Sequence, residues 1–265
     1  MFGLFEDARR GAATQVGASS GFSMAMPVEL VIARTDRIDD ATFVRLRAGL
    51  PADRLERCDA YYVENDRHAS ALTFAMLQWL WQERGGAGPM PHVERATYGK
   101  PRFVGASGFE FNLSHDARAC VCAVASVPIG VDVQSRVPFD DALFERIAAP
   151  AELALRERFR RLGDLAWLWS RKEALVKQSG IGLRASLQSI DALTEPGLVS
   201  FAVDGIDAVI SVSVDGAVND GFFGCCRVRL IEPIKPLNET TSSVVWRQRV
   251  LVPVPVPVPL EAAGL

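Results

Sequence analysis

The chain holds 265 residues, 49% of them hydrophobic and 23% charged, a composition that excludes disorder over most of its length and suffices for one large domain or two smaller ones. Its 29 Lys and Arg against 32 Asp and Glu leave a net charge of -3, which excludes a whole-chain electrostatic grip on nucleic acid but not a local basic pocket. No stretch reaches the roughly 18 uninterrupted apolar residues of a membrane span: the longest apolar run, 119–133, is broken by Ser126, Pro128 and Asp132, so no membrane partner is expected.

Residues 1–26, rich in Gly, Ala and Ser and without a sustained period, read as a flexible extension. They begin MFGLFEDARR, with acids where a secretory leader carries its apolar core, which predicts a reducing, cytoplasmic setting. A first strand follows at 27–34, then short helices at 40–48 and 52–61, the second opened by Pro51, and a longer helix at 66–84 ended by Gly85-Gly86. Strands are expected at 109–113, 120–126 and 129–133, the last two joined by a tight Val127-Pro128 turn. Helices are expected at 141–147, 150–162 and 165–178, and a closing β pair at 208–214 and 221–230 around Asp215-Gly216 and Asn219-Asp220-Gly221. Four Val-Pro pairs from Val252 to Pro259 read as an extended, polyproline-like tail and not a core strand, because proline has no backbone donor. Each half offers helices followed by strands, which predicts an α+β chain of two similar-sized lobes. The boundaries fall at 27–127 for the N-terminal lobe and 128–232 for the C-terminal lobe, with a Pro/Val-rich tail over 233–265.

The five cysteines, at 58, 120, 122, 225 and 226, lack zinc-ligand spacing and read as reduced core thiols. Gly17-Ala18-Ser19-Ser20-Gly21 fits the G-x-S-x-G hydrolase pattern, but DARRGAATQ before it is no buried strand, so the match is set aside. The sequon at Asn238-Glu239-Thr240 is a three-residue coincidence in the wrong compartment.

Three segments carry chemistry. In the strand IGVDVQ, alternation puts Gly130, Asp132 and Gln134 on one face and Ile129, Val131 and Val133 on the other. An acid inside an apolar run is costly to bury unless a cation or metal meets it, the plainer reading being a strand that surfaces there. In the helical WSRKEALVK, Trp169, Glu173 and Lys177 share a face, and Glu173 with Lys177 is by itself an ordinary intrahelical ion pair. Combined with Asp132, two acids plus the Gln134 amide make a hard oxygen site suited to Mg²⁺, which shares phosphate oxygens. The third segment, FNLSHD, ends a strand in Ser114 and His115, with Tyr98-Gly99-Lys100-Pro101 upstream. It reads as a phosphate cradle or as a surface histidine. With three histidines in the chain, a His-rich metal site is not expected.

Taken in order, GKP at 99–101, FNLSH at 111–115, IGVDV at 129–133 and WSRKEALVK at 169–177 resemble the 4′-phosphopantetheinyl transferases of the larger, surfactin-type group, in the branch with Trp and Ala flanking Lys-Glu. The resemblance covers roughly residues 28–230. It implies a fold of two similar α/β lobes related by pseudo-two-fold symmetry, with coenzyme A in the cleft between them. The implied reaction is Mg²⁺-dependent transfer of the phosphopantetheine arm of coenzyme A to a serine of an apo acyl or peptidyl carrier protein, with release of 3′,5′-ADP. A cytoplasmic monomer serving polyketide, nonribosomal peptide or fatty-acid synthesis is implied.

By the same resemblance, Asp132 and Glu173, with Gln134, would hold the metal. Lys177 would sit by the reacting phosphate and support Glu173, the candidate base. Ser114 and His115 would bind phosphate, Lys100 and Pro101 would line the adenine pocket, Arg54 and Arg57 would grip the 3′-phosphate side, and Ser70, in the helix-start stretch DRHAS from Asp66, would bind the cofactor beside them. Residues 138–155 are the expected carrier-docking segment. The sequence departs from the pattern at Gln134, where many members carry a second acid, and at Ala69, where a basic residue is common; Arg67 or His68 is expected to supply that charge. The alternatives are a non-catalytic carrier-binding module of the same fold and another Mg²⁺-dependent nucleotide phosphotransferase.

Overall fold

The computed structural model describes residues 28–86, 88–215, 226–234 and 244–256. The N-terminal extension with its Gly17–Gly21 pattern, the Asn238 sequon, Cys225 and the final Val-Pro pair lie outside the described residues. The first half runs β1 (Val28–Arg34), α1 (Asp40–Ala48), α2 (Ala52–Asp59), α3 (Glu64–Glu83), β2 (Val93–Arg95), β3 (Pro101–Phe103), β4 (Glu110–His115) and β5 (Ala119–Ala125). The second half runs β6 (Ile129–Gln134), α4 (Asp141–Ile147), α5 (Arg156–Leu162), α6 (Ala166–Ser179), β7 (Leu198–Val203) and β8 (Ile206–Val214), and then β9 (Cys226–Ile234), β10 (Val245–Leu251) and β11 (Val254–Pro255). Helices and sheets are mixed as expected for an α+β chain.

Two sheets organise these strands, in the orders β10-β9-β1-β5-β4 and β11-β7-β8-β6, beside a small β2-β3 hairpin. Within them the two halves repeat one arrangement. The first strand of each half pairs antiparallel with its last, and the last pairs antiparallel with the one before it: β1-β5-β4 and β6-β8-β7. The alternation of side chains sorts the core. Val28, Leu30 and Ile32 join Val121, Ala123, Val131, Ile210 and Val212 in a core shared by both sheets. Val31, Cys120, Cys122 and Val124, on the opposite face of the first sheet, pack with α3 residues such as Leu72, Met76 and Leu80. The second sheet has its own helical layer, α6, whose Leu168 and Leu175 pack with Phe144 and Phe159. Burial pushes the Cys120 thiol up to about 12, which fits an inert core thiol.

Several expectations need correction. The 150–162 segment is a 3₁₀ turn, Pro150–Leu155, followed by α5. The expected turn residues Gly216 to Gly221 lie outside the described residues, and among those described 208–214 and 226–230 do not pair with each other. Strand β8 pairs with β6 and β7, whereas β9 runs parallel to β1 and antiparallel to β10. The chain contains three Asp-Gly steps, at 204–205, 215–216 and 220–221, and the β7-β8 hairpin is closed by Asp204-Gly205, with Gly205 at φ +79°. Because β9 lies in the first sheet, residues 226–234 belong by strand pairing with the N-terminal half. Arg229 on β9 reaches Glu29 on β1 and stacks over Trp79 of α3 at 4.3 Å.

The Val-Pro tail is extended as expected, but its start is a strand. Val254 and Pro255 pair with Ala202 and Phe201, and the Val256 N–H donates to Ser200 O at 3.0 Å. Strand period puts the N–H groups of Val254 and Val256 toward β7, and each proline where an N–H would face outward, so an edge strand tolerates the repeat. Among the described residues no helix is long and apolar enough to cross a membrane.

Candidate active site

The two sheets meet at their inner edges, β4 and β6, which share no strand ladder. Side chains do the joining. Asn112 Oδ1 accepts the Val131 N–H at 3.0 Å, and Ser114 Oγ accepts the Val133 N–H at 3.4 Å. Both partners are buried, so these bonds satisfy edge donors that water does not reach. The period-2 spacing of Asn112 and Ser114 in FNLSH carried that signal; Asn112 was not singled out from the sequence.

Helix α6 lies unusually close to β6 at Gly130. A Cβ built there would stand 2.0 Å from Ala174 O and 2.4 Å from Gln178 N. Glycine thus permits the close approach that brings Asp132 under Lys177. Asp132, 5% exposed, accepts from Lys177 Nζ at 2.6 Å and from Ser114 Oγ at 2.8 Å, both on Oδ1. Its Oδ2 is buried and has no hydrogen-bond partner. Lys177 also donates to Ser114 Oγ at 3.0 Å. Burial pushes the Glu173 carboxyl above its ordinary range, the Asp132 charge adds to that rise, and Lys177 opposes it.

Above this junction opens a cleft of about 1170 Å³, lined by Arg54, Arg57, Ser70, Lys100, Pro101 and His115 from the first half and by Glu173 and Lys177 from the second. Asp132 and Ser114 are not among the lining residues; they contact the cleft through Lys177. Gln134, half-buried and in register with Val209, does not line it either.

The first-half wall carries Arg54, Arg57 and Arg95 beside the acids Asp53, Glu56 and Glu94. The Arg54 guanidinium lies over the Phe74 ring at 4.5 Å and makes only long contacts, 3.5 Å, to Ser70 O and Oγ. Its Nε is buried without a partner, and burial lowers its pKa. A half-buried guanidinium with an unmet donor beside an open cleft is suited to an anion. Arg57, on the exposed side of α2, adds charge at the rim. Burial lowers the His115 pKa below its usual value, and the ring sits edge-on to Tyr61, with centroids 6.0 Å apart. Tyr61 also lines the cleft, and nothing in the sequence pattern had marked it.

Lys100 is placed differently from expectation. It lines the cleft, but its ammonium donates to Ile129 O at 3.1 Å and Gln178 O at 2.8 Å, pinning the start of β6 to the end of α6. Arg67 and His68 do not replace a basic residue at Ala69. Arg67 is bound to the carbonyls of Tyr61 at 3.0 Å and Tyr62 at 3.3 Å, while buried His68 packs on Phe43 at 4.3 Å. Neither lines the cleft.

The donor set fits a divalent cation. Asp132 offers an unpartnered buried oxygen, and Glu173 is disfavoured as an anion partly by Asp132's own charge. A hard cation satisfies the first and relieves the second.

Known proteins resemble this chain. The family model of the 4′-phosphopantetheinyl transferase superfamily matches residues 128–214, which span β6 to β8 and contain Asp132, Glu173 and Lys177. A 4′-phosphopantetheinyl transferase of Bacillus subtilis is 30% identical over 161 residues, covering 59% of this chain and 72% of the relative. The 4′-phosphopantetheinyl transferase Sfp of Bacillus subtilis strain 168 is 27% identical over the same shares. The 4′-phosphopantetheinyl transferase HetI of Nostoc is 30% identical over 165 residues, 57% of this chain and 68% of the relative.

Proposed function

Since this chain belongs to the 4′-phosphopantetheinyl transferase superfamily, in its surfactin-type group, we propose that it transfers the phosphopantetheine arm of coenzyme A to a serine of an apo acyl or peptidyl carrier protein. The serine oxygen attacks the pyrophosphate phosphorus that bears the arm. A phosphorus–oxygen bond forms there, the bond to the bridging oxygen breaks, and 3′,5′-ADP leaves. The observation that carries this reading is that Arg54 and Arg57 share one cleft with Glu173 and Lys177, the latter bound to the buried Asp132 behind it. Arg54 with its unmet buried donor faces the same space as Glu173 and Lys177.

The residues divide the work. Arg54 and Arg57 hold the 3′-phosphate side, with Ser70 beside them, while Pro101 and the aliphatic stem of Lys100 line the base pocket. Neutral His115 donates a hydrogen bond to phosphate. Lys177 meets the negative charge that develops on the phosphoryl oxygens, and Ser114 holds Lys177 and Asp132 in place. Glu173, with its raised pKa, takes the serine proton, since a stronger base within reach is a better acceptor. Asp132 and Glu173 would hold Mg²⁺, with Gln134 as a third oxygen donor. When bound, that ion supplies charge neutralisation on the pyrophosphate. Positioning and electrostatics then suffice without a covalent protein nucleophile.

We also read the two halves as lobes related by a pseudo-two-fold axis, supported by the matched orders β1-β5-β4 and β6-β8-β7, and the protein as a cytoplasmic monomer. The test is the release of 3′,5′-ADP, followed by chromatography with Mg²⁺ and coenzyme A. Release that requires an apo carrier protein supports the proposal. Release at equal rate without any carrier would replace it with a nucleotide-cleaving reading.

A further inference from the structure

Directly before Glu173 stand two cations that face away from the cleft. Lys172 is fully buried, with its ammonium 2.5 Å from Oε2 of the equally buried Glu152. It donates as well to Leu187 O at 3.0 Å and to Ile190 O. The remaining capacity of Glu152 is used on backbone: Oε2 accepts the Ala149 N–H and Oε1 the Ala192 N–H, each at 2.7 Å. Arg171 adds bonds to Ala192 O at 2.7 Å and to Ser200 Oγ at 3.1 Å. The segment 187–192 is therefore tied to α6 through the side chains of two consecutive helical residues and one buried carboxylate.

Stability alone does not account for such a pair. Desolvating two charges offsets much of their attraction, and apolar replacement of a buried ion pair is often neutral or favourable. What the pair does fix is geometry. Leu187 lines the cleft, as do Trp169 and Glu173, one turn apart on α6. Lys172 precedes Glu173 on α6, so the buried contact to Glu152 and the bonds to Leu187 O and Ile190 O anchor the helical turn that carries Glu173.

We infer that Glu152 and Lys172 are a buried positioning pair for the transfer reaction, holding the Leu187 wall and the Glu173 turn in one register. The inference rests on the proposed transferase function and concerns residues that touch no substrate. A substrate bound between Leu187 and Glu173 would feel any slip between them, and a 1 Å misplacement costs about 100-fold in rate.

The test compares Glu152→Gln, Lys172→Met and the double variant in the full-length chain. Thermal stability, coenzyme A affinity by tryptophan fluorescence, and transfer to a purified apo acyl carrier protein are measured for each. Each single variant strands one buried charge and should melt lower. The double variant strands none and should regain most of the lost melting temperature. It should nevertheless stay at least tenfold down in kcat, with KM for the carrier unchanged. A double variant that recovers both melting temperature and kcat overturns the inference, and so does one that fails to fold, because the pair would then serve the fold alone. Absence of transfer by the wild-type chain, with coenzyme A bound, would instead refute the transferase reading itself.

Discussion

Gly130→Ala puts one methyl group where α6 meets β6. The new carbon would stand 2.0 Å from Ala174 O, 2.4 Å from Gln178 N and 2.9 Å from Gln178 Cα, all of them backbone. No rotamer change relieves such contacts, so the helix has to retreat by more than about 1 Å to reach ordinary packing distance. Glu173 and Lys177 ride on that helix, and the bond from Lys177 Nζ to Asp132 Oδ1 is 2.6 Å long. A displacement of that size carries the ammonium out of contact and shifts Glu173 relative to the rest of the cleft. Overpacking of this kind costs about 1–3 kcal/mol, and in a chain of this size each kcal/mol lowers the melting temperature by about 2–4 °C. The expected loss of transfer is larger in proportion, on the order of 100-fold in kcat, with coenzyme A binding at Arg54 less affected. Scanning calorimetry and a steady-state transfer assay on the folded variant read both quantities. A Gly130→Ala chain with wild-type melting temperature and kcat within twofold would refute the claim that this approach sets the site.

Glu173→Gln should abolish transfer and raise the melting temperature at neutral pH. The folded-state pKa of Glu173 is raised above the ordinary 4.5, so the stability it contributes is full below that value and lost as pH rises through the raised one. The gap in melting temperature between variant and wild type should therefore widen as the pH rises above the ordinary 4.5; a gap that narrows contradicts the stated burial. Asn112→Ala leaves the Val131 N–H buried without an acceptor, at a cost of about 1–3 kcal/mol, and urea unfolding should show it together with slower transfer. Gln134→Glu adds an acid on the Asp132 face of β6 and should lower the Mg²⁺ concentration giving half-maximal rate; an unchanged Mg²⁺ titration would remove Gln134 from the metal site.

Much of this was legible locally. The alternation in IGVDVQ announced a buried acid, and the i, i+4 spacing placed Glu173 and Lys177 on one helical face. Pairing between distant segments was not legible, because hydrophobic period says that a strand forms and not which neighbour it finds. The turn signals Asp215-Gly216 and Asn219-Asp220-Gly221 predict β9 beside β8, while its partner β1 lies far away in sequence, Val28 pairing with Cys226. The same limit hid Glu152. Nothing in PAELAL shows that its carboxylate meets Lys172, and both would ordinarily be placed on the surface. Lys100 was read by its charge, yet that charge is spent on two carbonyls. Only tertiary proximity reveals such a use. The Val-Pro repeat is extended and outside any central strand, as its missing donors require, and its edge pairing with β7 adds what composition does not specify.

The account stands or falls on where the arm of coenzyme A ends up. Intact-mass analysis of an apo carrier protein incubated with this chain, coenzyme A and Mg²⁺ should show the gain of one phosphopantetheine group, located on the carrier serine by fragmentation and absent with Glu173→Ala. Carriers of both the acyl and the peptidyl class left unmodified, while coenzyme A binds the folded chain, would contradict it.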